Sequence, residues 1–133
     1  MYLLDTNVVS EMRKPRPHGA VIAWLKSVPE DLLYISAATF GELQAGVEKT
    51  RRIDLEKAIE IEWWIETLSV FHRVIPIDVA IARERARLMV GRSIHLCEDA
   101  MIAATARIHN LTVATRNVKD FVIFSVPIVN PFT

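Results

Sequence analysis

Short apolar runs that end at polar residues are the feature of this chain that most constrains its fold. The first run, Tyr2 to Leu4, stops at Asp5, and similar runs occupy residues 32–35 and 111–115. Segments with the apolar spacing of helices separate these runs. Because strands that alternate with helices usually pair in parallel, the sequence predicts an α/β fold. Helices should cover both faces of a short, mostly parallel sheet in three layers.

Proline and capping residues set the bounds of the predicted elements. The first helix follows Asp5 and ends near Pro15, since proline prevents its continuation. Further helices are predicted at about residues 20–28, from 36 or 39 onward, and at 52–71, 79–91 and 98–109. Strands 74–77 and 128–129 complete the sheet, and Pro76 favours an edge or a strand end for the former. Residues 116–121 are predicted to form a turn-rich loop.

Residues 52–71 form the longest predicted helix, which is amphipathic and has an acidic side in water. Its apolar positions are Leu55, Ile59, Trp63, Ile65 and Leu68. Trp63 and Trp64 are adjacent and cannot both face one core. We therefore expect this helix to offer a surface to a partner protein.

Composition limits the size and the surroundings of the protein. A chain of 133 residues that is 51% hydrophobic can bury a core as one domain, residues 1–133. Its single cysteine, Cys97, cannot form an internal disulfide, which indicates a reducing compartment. No apolar stretch has the length of a membrane span or the form of a signal peptide. We expect a cytoplasmic protein without membrane contact.

Acidic residues stand where the predicted strands end or the following helices begin. Asp5 ends the first strand, Glu42 lies near the start of the helix after the second, and Asp99 starts a later helix. Carboxyl ends of parallel strands meet at one edge, where α/β proteins place their sites. Clustered carboxylates raise one another's pKa, and Mg²⁺ or Mn²⁺ would relieve that repulsion.

Each acid also has a purely structural interpretation. Asp5 and Thr6 suit a helix N-cap, and Thr39 with Glu42 matches a capping box. Asp99 in the first turn of a helix is favourable to the helix dipole. The joint appearance of all three beside one sheet edge favours a functional site.

Four segments in this order resemble the PIN-domain family. They begin with Met-Tyr-Leu-Leu-Asp-Thr-Asn at residues 1–7 and Ala-Thr-Phe-Gly-Glu-Leu at 38–43. Asp-Ala-Met-Ile-Ala-Ala-Thr-Ala follows at 99–106, and Ala-Thr-Arg-Asn-Val-Lys-Asp-Phe at 114–121. The resemblance covers essentially the whole chain. It is greatest to the VapC-type ribonuclease toxins of bacterial toxin–antitoxin pairs, and among these to the FitB-like subgroup.

The resemblance implies a PIN-like fold and a metal-dependent endoribonuclease. Mg²⁺ or Mn²⁺ would be held by Asp5, Glu42 and Asp99, and a metal-activated water would hydrolyse the RNA. Many members carry a fourth acid where this chain has Asn117, and Asp120 is the nearest acid to that position. Either one is a candidate catalytic residue. The hydroxyls of Thr6 and Thr115 are expected to hold water or a carboxylate beside the ligands.

RNA must be bound by local basic groups, because 16 basic residues balance 16 acidic ones. Arg13, Lys14, Arg116 and Lys119 are the candidates beside the acidic motifs. Other basic residues near those motifs, Arg16, Lys49, Arg51 and Arg52, have an equally good interpretation as solvated charges.

The resemblance also implies protein partners. Members usually form homodimers, and a cognate antitoxin blocks the acidic cleft and binds operator DNA on behalf of the pair. Two alternatives stay open. One is a PIN-fold binding module that is weakly active or inactive because of Asn117. The other is a phosphatase with Asp5 as nucleophile, although Asn7 replaces the second aspartate of such sites.

Overall fold

A five-stranded parallel sheet forms the centre of the protein. The computed structural model describes residues 1–133, and the strands follow the order β3-β2-β1-β4-β5 across the sheet. The strands are β1 (Tyr2–Leu4), β2 (Leu33–Ser36), β3 (Arg73–Ile75), β4 (Thr112–Ala114) and β5 (Ile128–Val129). All four strand pairs are parallel, which confirms the predicted α/β class. Pro76, which has no backbone N–H to donate, directly follows β3 at the edge of the sheet.

The register of the central strand brings three strand ends together. Leu4, the last residue of β1, lies opposite Ile35 of β2 and Ala114 of β4. The residues that follow these three strands therefore share one edge of the sheet. The residues that directly follow β1, β2 and β4 are therefore positioned by the backbone hydrogen bonds between these strands.

Helices cover both faces of the sheet, as three layers require. The first group comprises α1 (Thr6–Glu11), α2 (Gly19–Ser27), α3 (Ala37–Arg51) and α4 (Leu55–Phe71). The second comprises α5 (Val79–Leu88), α6 (Cys97–His109) and α7 (Val118–Val122). Leu4 and Ala114 point into the core of the first group, while Leu3 and Val113 point into the core of the second. The alternation follows from the two-residue repeat of a strand.

Helix α6 is the most deeply buried helix. Six of its residues are buried, namely Ala100, Ile102, Ala103, Ala104, Thr105 and Ala106. The alanines allow the helix to approach the sheet closely. Asn110 ends it in the left-handed conformation, with φ of 56°.

The segment after β4 differs from the predicted loop. Residues 118–122 form α7 instead, and Phe121 is fully buried in the core. The prediction was wrong because the polar residues of this segment suggest turns, whereas burial of one aromatic side chain stabilises a single helical turn. Asp120 consequently lies in the first turn of a helix.

Helix α4 is amphipathic, but its apolar residues divide into two sets. Ile65 and Leu68 are buried together with Ala58, whereas Leu55, Ile59 and Trp63 are exposed. The exposed residues recur every four positions and so lie along one stripe. Trp63 is 68% exposed and Trp64 is half-buried, so only one of the two tryptophans packs against the core. No helix is both long enough and apolar enough to cross a membrane.

Burial on α6 gives a direct test of the core. Ile102 is fully buried and Ile108 on the same helix is 41% exposed. We expect Ile102→Ala to lower the free energy of unfolding by about 2–5 kcal/mol, through lost burial and a cavity. Ile108→Ala should cost well under half as much. Urea unfolding at one fixed protein concentration measures both, and equal losses would contradict the described orientation of α6.

Candidate functional site

Asp5 occupies the end of the central strand and is 4% exposed. It caps α1, and its Oδ1 accepts a hydrogen bond from the Thr6 backbone N–H at 2.8 Å. Its Oδ2 accepts from the Thr115 hydroxyl at 2.8 Å and from Asn7 Nδ2 at 3.1 Å. Burial raises the pKa of Asp5, and these three hydrogen bonds partly offset the rise. Asp5 is thus both a helix cap and a member of a polar network.

Glu42 lies on α3, close enough to Asp5 and Asp99 for their negative charges to act on it. Its pKa is raised to about 7, first by burial, then by the negative charges of Glu98, Asp5 and Asp99. The capping box considered for this segment does not form, because Ser36 caps α3 and accepts from the Ala38 N–H at 3.0 Å. Glu42 is therefore left without a capping role.

Asp99 lies in the first turn of α6 and has the same electrostatic character. Its pKa is raised to about 6 by burial and by the charges of Asp5, Asp120 and Glu98, while His95 lowers it. The molecule's five ion pairs use other acids. Asp5, Glu42 and Asp99 therefore form a cluster of carboxylates that takes part in no ion pair, although His95 acts on Asp99 from a distance. We call these three residues the acidic cluster.

The threonines beside the acidic cluster connect its parts. Thr6 Oγ1 is 3.2 Å from Thr39 Oγ1 on α3, and hydrogen bonding from the Thr6 hydroxyl also lowers the pKa of Glu42. Since a hydroxyl has one proton, Thr6 donates to one of them at a time. Thr115 donates to Asp5 and accepts from the Asn117 N–H at 2.9 Å.

Asn117 and Asp120 occupy different positions beside the acidic cluster. Asn117 precedes α7 and its side chain is exposed without a capping bond. Asp120 is half-buried, and its charge contributes to the raised pKa of Asp99. The structure thus brings Asp120 into the electrostatic field of the cluster and leaves the amide of Asn117 free in solvent.

The family is decided by comparison with known sequences. A family model described as the PIN domain matches residues 2–122. The chain belongs to the PIN-domain family. The match contains the acidic cluster, Asn117 and Asp120, and it ends at the last residue of α7.

Curated relatives of this PIN domain span its whole length. It is 36% identical to "Toxin FitB" of Neisseria gonorrhoeae, over 99% of both chains. It is also 36% identical to "VapC ribonuclease Y4jK" of Sinorhizobium fredii, over 99% of this chain and 98% of that one.

Solved structures confirm the PIN fold. FitAcB from Neisseria gonorrhoeae superposes with a TM-score of 0.85 at 37% identity, covering 99% of both chains. A toxin–antitoxin complex from Klebsiella pneumoniae superposes with a TM-score of 0.75 at 27% identity, covering 98% of both. The three-layer α/β/α arrangement expected from the sequence is therefore correct.

The sequence patterns assigned no role in the site to two polar residues of this PIN domain, Asn7 and Glu98. Asn7 donates to Asp5 Oδ2 and its Oδ1 accepts from the Arg116 N–H at 3.3 Å, so it bridges the segments after β1 and β4. Glu98 contributes to the raised pKa of both Glu42 and Asp99. Asn7 is the last residue of the motif segment 1–7 and Glu98 directly precedes the segment that begins at Asp99, so position beside the motif acids was the only available signal.

The predicted RNA-binding residues have different environments. Lys14 forms an ion pair with the buried Glu11 on α1. Arg13 lines a cavity of about 500 Å³ beside Trp64 of α4. Lys119 is exposed on α7, and the exposed Arg116 lies over the ring of Phe132.

Arg51, one of the four basic residues whose role was left open, pairs with Glu48 and Glu62. Its guanidinium therefore has two acidic partners within the protein. A structural role accounts for it fully.

The donor chemistry of the acidic cluster suits a hard divalent cation. Its members are carboxylates whose pKa values are raised by burial and, at Glu42 and Asp99, also by neighbouring negative charges, and none of them forms an ion pair. No three His, Cys, Asp or Glu side chains are arranged closely enough to bind an ion together. Mg²⁺ fits such an arrangement, since it usually keeps several waters and takes only one or two carboxylates directly.

The raised pKa of Glu42 predicts a pH dependence of stability. Between about pH 4.5 and pH 7, Glu42 binds more protons in the folded than in the unfolded protein. Its stabilising contribution is complete below pH 4.5 and is lost as the pH rises through about 7. In chelator, Glu42→Gln should therefore unfold at the same temperature as the wild type at low pH and at a higher temperature above neutrality.

The exposed Glu60 of α4 provides the control. Glu60→Gln should follow the wild-type melting temperature at every pH. If Glu42→Gln also follows it throughout, the proposed repulsion at Glu42 is absent.

Proposed function

We propose that this PIN domain, residues 1–133, is a metal-dependent endoribonuclease and the toxin of a toxin–antitoxin pair. The acidic cluster carries the proposal: Asp5, Glu42 and Asp99 share one electrostatic field at the carboxyl edge of the sheet and form no ion pair. The similarity to a VapC ribonuclease over the whole chain supports the reaction class. An RNA substrate places the activity in the cytoplasm.

Asp5, Glu42 and Asp99 would hold the cation, Mg²⁺ or Mn²⁺, one or two of them directly and the rest through its water ligands. When bound, the cation would activate a water for attack on a phosphodiester and neutralise charge on the phosphate. Thr115 and Asn7 fix the Asp5 carboxylate through hydrogen bonds to Oδ2, so its orientation is set before any ligand arrives.

In this proposal Glu42 accepts the proton of the attacking water. A pKa of about 7 is suited to a group that accepts a proton near neutral pH. Asp120 adds negative charge beside Asp99, and the solvent-exposed amide of Asn117 can orient a water. We assign both to the site, Asp120 through its charge and Asn117 through hydrogen bonding.

RNA would be held by exposed basic groups around the acidic cluster. Arg116 and Lys119 follow β4, on the same edge of the sheet as Asp5. Arg13 extends this surface towards α4, whereas the ion pair of Lys14 with Glu11 leaves Lys14 less available. Binding through these residues should weaken as salt increases.

Partner proteins follow from the relatives. A relative is named as a toxin, and a structural neighbour is a toxin–antitoxin complex. We propose a cognate antitoxin that covers the acidic cluster, a homodimer as the catalytic unit, and operator DNA binding only through the antitoxin. The exposed apolar stripe of α4 is suited to contact with another protein.

The residue two positions after Asp5 disfavours the phosphatase alternative. Asn7 stands where such sites carry a second aspartate, and its amide donates a hydrogen bond to Asp5 Oδ2. The inactive binding module is the better alternative, because Asn117 supplies an amide in place of a charge.

Cleavage of labelled single-stranded RNA by antitoxin-free protein tests the proposed function. With Mg²⁺ or Mn²⁺ we expect cutting that chelator abolishes, and Asp5→Asn and Asp99→Asn should each lower the rate by about 10²-fold or more. Asp31→Asn is the matched control, since Asp31 is exposed and precedes β2, at the opposite edge of the sheet. Metal binding without any cleavage would favour the binding module.

Removal of the Thr115 hydroxyl tests the support of Asp5. Thr115→Val keeps the shape of the side chain and removes the 2.8 Å hydrogen bond to Asp5 Oδ2. Loss of such a supporting bond should lower metal affinity or activity by about 10–100-fold. Thr112→Val on the same strand should leave cleavage unchanged, and equal behaviour of the two variants would argue against the support.

A further inference from the structure

The C-terminal segment places an aromatic ring under Arg116. The Cζ atom of Arg116 lies 4.0 Å from the centroid of the Phe132 ring, well within cation–π distance. The ring of His18 approaches Phe132 edge-on, with the centroids 5.3 Å apart. Phe132 lies beyond residues 2–122, the part of the chain that matches the PIN-domain family.

Phe132 is held in place by its own segment. Its backbone N–H donates to Asn130 Oδ1 at 3.0 Å, and Pro131 beside it is buried. The side chain packs against the core cluster that contains Leu4 and Ala114. The Phe132 ring is therefore packed against the core of the protein.

Arg116 is tethered to the acidic cluster through its backbone. The Arg116 N–H donates to Asn7 Oδ1, and Asn7 Nδ2 in turn donates to Asp5 Oδ2. The preceding residue, Thr115, donates its N–H to the Val129 carbonyl of β5 at 3.0 Å. Backbone and ring together define where the guanidinium lies.

The N–H groups of the Arg116 guanidinium make no bond to the protein. Its side chain takes part in none of the five ion pairs, which occupy Lys14, Arg51, Arg87 and Arg107. The ring of Phe132 covers a face of the guanidinium, while the N–H donors point from its edge. The pKa of Glu11 is lowered first by Lys14 and also by the charge of Arg116. The Arg116 guanidinium therefore lies near a carboxylate that already has Lys14 as its ion-pair partner.

We propose that Phe132 is a positioning residue that holds Arg116 at the rim of the acidic cluster, where its free N–H donors bind a phosphate of single-stranded RNA. The inference rests on the proposed ribonuclease function. Arginine loses considerable rotamer freedom when it binds a ligand, and a ring that already restricts the side chain reduces that loss. Phe132 acts on RNA only through Arg116.

Steady-state cleavage of fluorescein-labelled single-stranded RNA at several salt concentrations tests this inference. Phe132→Ala should raise KM on the order of fivefold, the loss expected for an exposed cation–π contact, and leave kcat unchanged. Arg116→Ala should raise KM at least as much and reduce the salt slope of log KM by about 0.7, since one phosphate contact is lost. The double variant should be no worse than Arg116→Ala.

Two further substitutions separate positioning from packing. Phe132→Tyr keeps the aromatic face and should restore the wild-type KM, whereas Phe132→Leu keeps apolar bulk and should behave as Phe132→Ala. Arg73→Ala is the matched control, because Arg73 lies over the Tyr34 ring at 5.9 Å, at the start of β3 and away from the cluster. Melting temperatures of all variants show whether the fold is retained.

The outcomes distinguish this inference from the proposed function. Wild-type cleavage with an unchanged KM in Phe132→Ala, or additive effects in the double variant, overturns the inference and leaves the ribonuclease standing. Equal restoration by Leu and Tyr overturns it as well. If the wild type binds RNA without cleaving it, equal losses of affinity in Phe132→Ala and Arg116→Ala support the inference while the ribonuclease fails.

Discussion

The hydrogen bond from the Thr115 hydroxyl to Asp5 is the interaction on which the site depends. It joins the ends of β1 and β4, which are neighbours in the sheet, at a distance of 2.8 Å. Asn7 and the backbone of Arg116 extend this bond into a network across the same edge. A buried carboxylate without such donors would be costly, since each ionised oxygen removed from water needs a partner. The network therefore makes burial of Asp5 compatible with its negative charge.

The acidic cluster opposes the stability of the fold that builds it. Glu42 and Asp99 ionise less readily than free side chains because burial and neighbouring acids act together. Replacing such charges by neutral groups commonly stabilises a protein and removes its activity. The buried alanines of α6 and the parallel sheet supply the compensating core. Asp99 stands at the start of that same helix, so the most deeply buried helix also carries a carboxylate whose ionisation is disfavoured.

Sequence patterns predicted the parts of the structure that follow from local rules. Each predicted strand exists within one or two residues of its expected bounds, because apolar runs ended by polar residues are typical of buried parallel strands. The position of Asp5 follows from the apolar run before it, whereas Glu42 and Asp99 reach the same neighbourhood through helices α3 and α6. Helix α7 was missed because its only strong signal is one buried phenylalanine. The outward face of α4 was also not predictable, since apolar spacing does not tell which of two stripes meets the core. Asn7 and Phe132 act through contacts with residues distant in sequence, which no local pattern reveals.

The order of the strands has a consequence for the time at which the site first exists. β1 is synthesised first but pairs with β4, and the Asp5–Thr115 hydrogen bond spans 110 residues. At about 5–20 residues per second, roughly 5 to 20 s of translation separate these two residues. Until β4 emerges, Asp5 lacks its hydroxyl donor and β1 lacks one of its two neighbouring strands. A growing chain therefore carries the first acid for most of its synthesis without an assembled site, and the complete arrangement arises only as the last strands join the sheet.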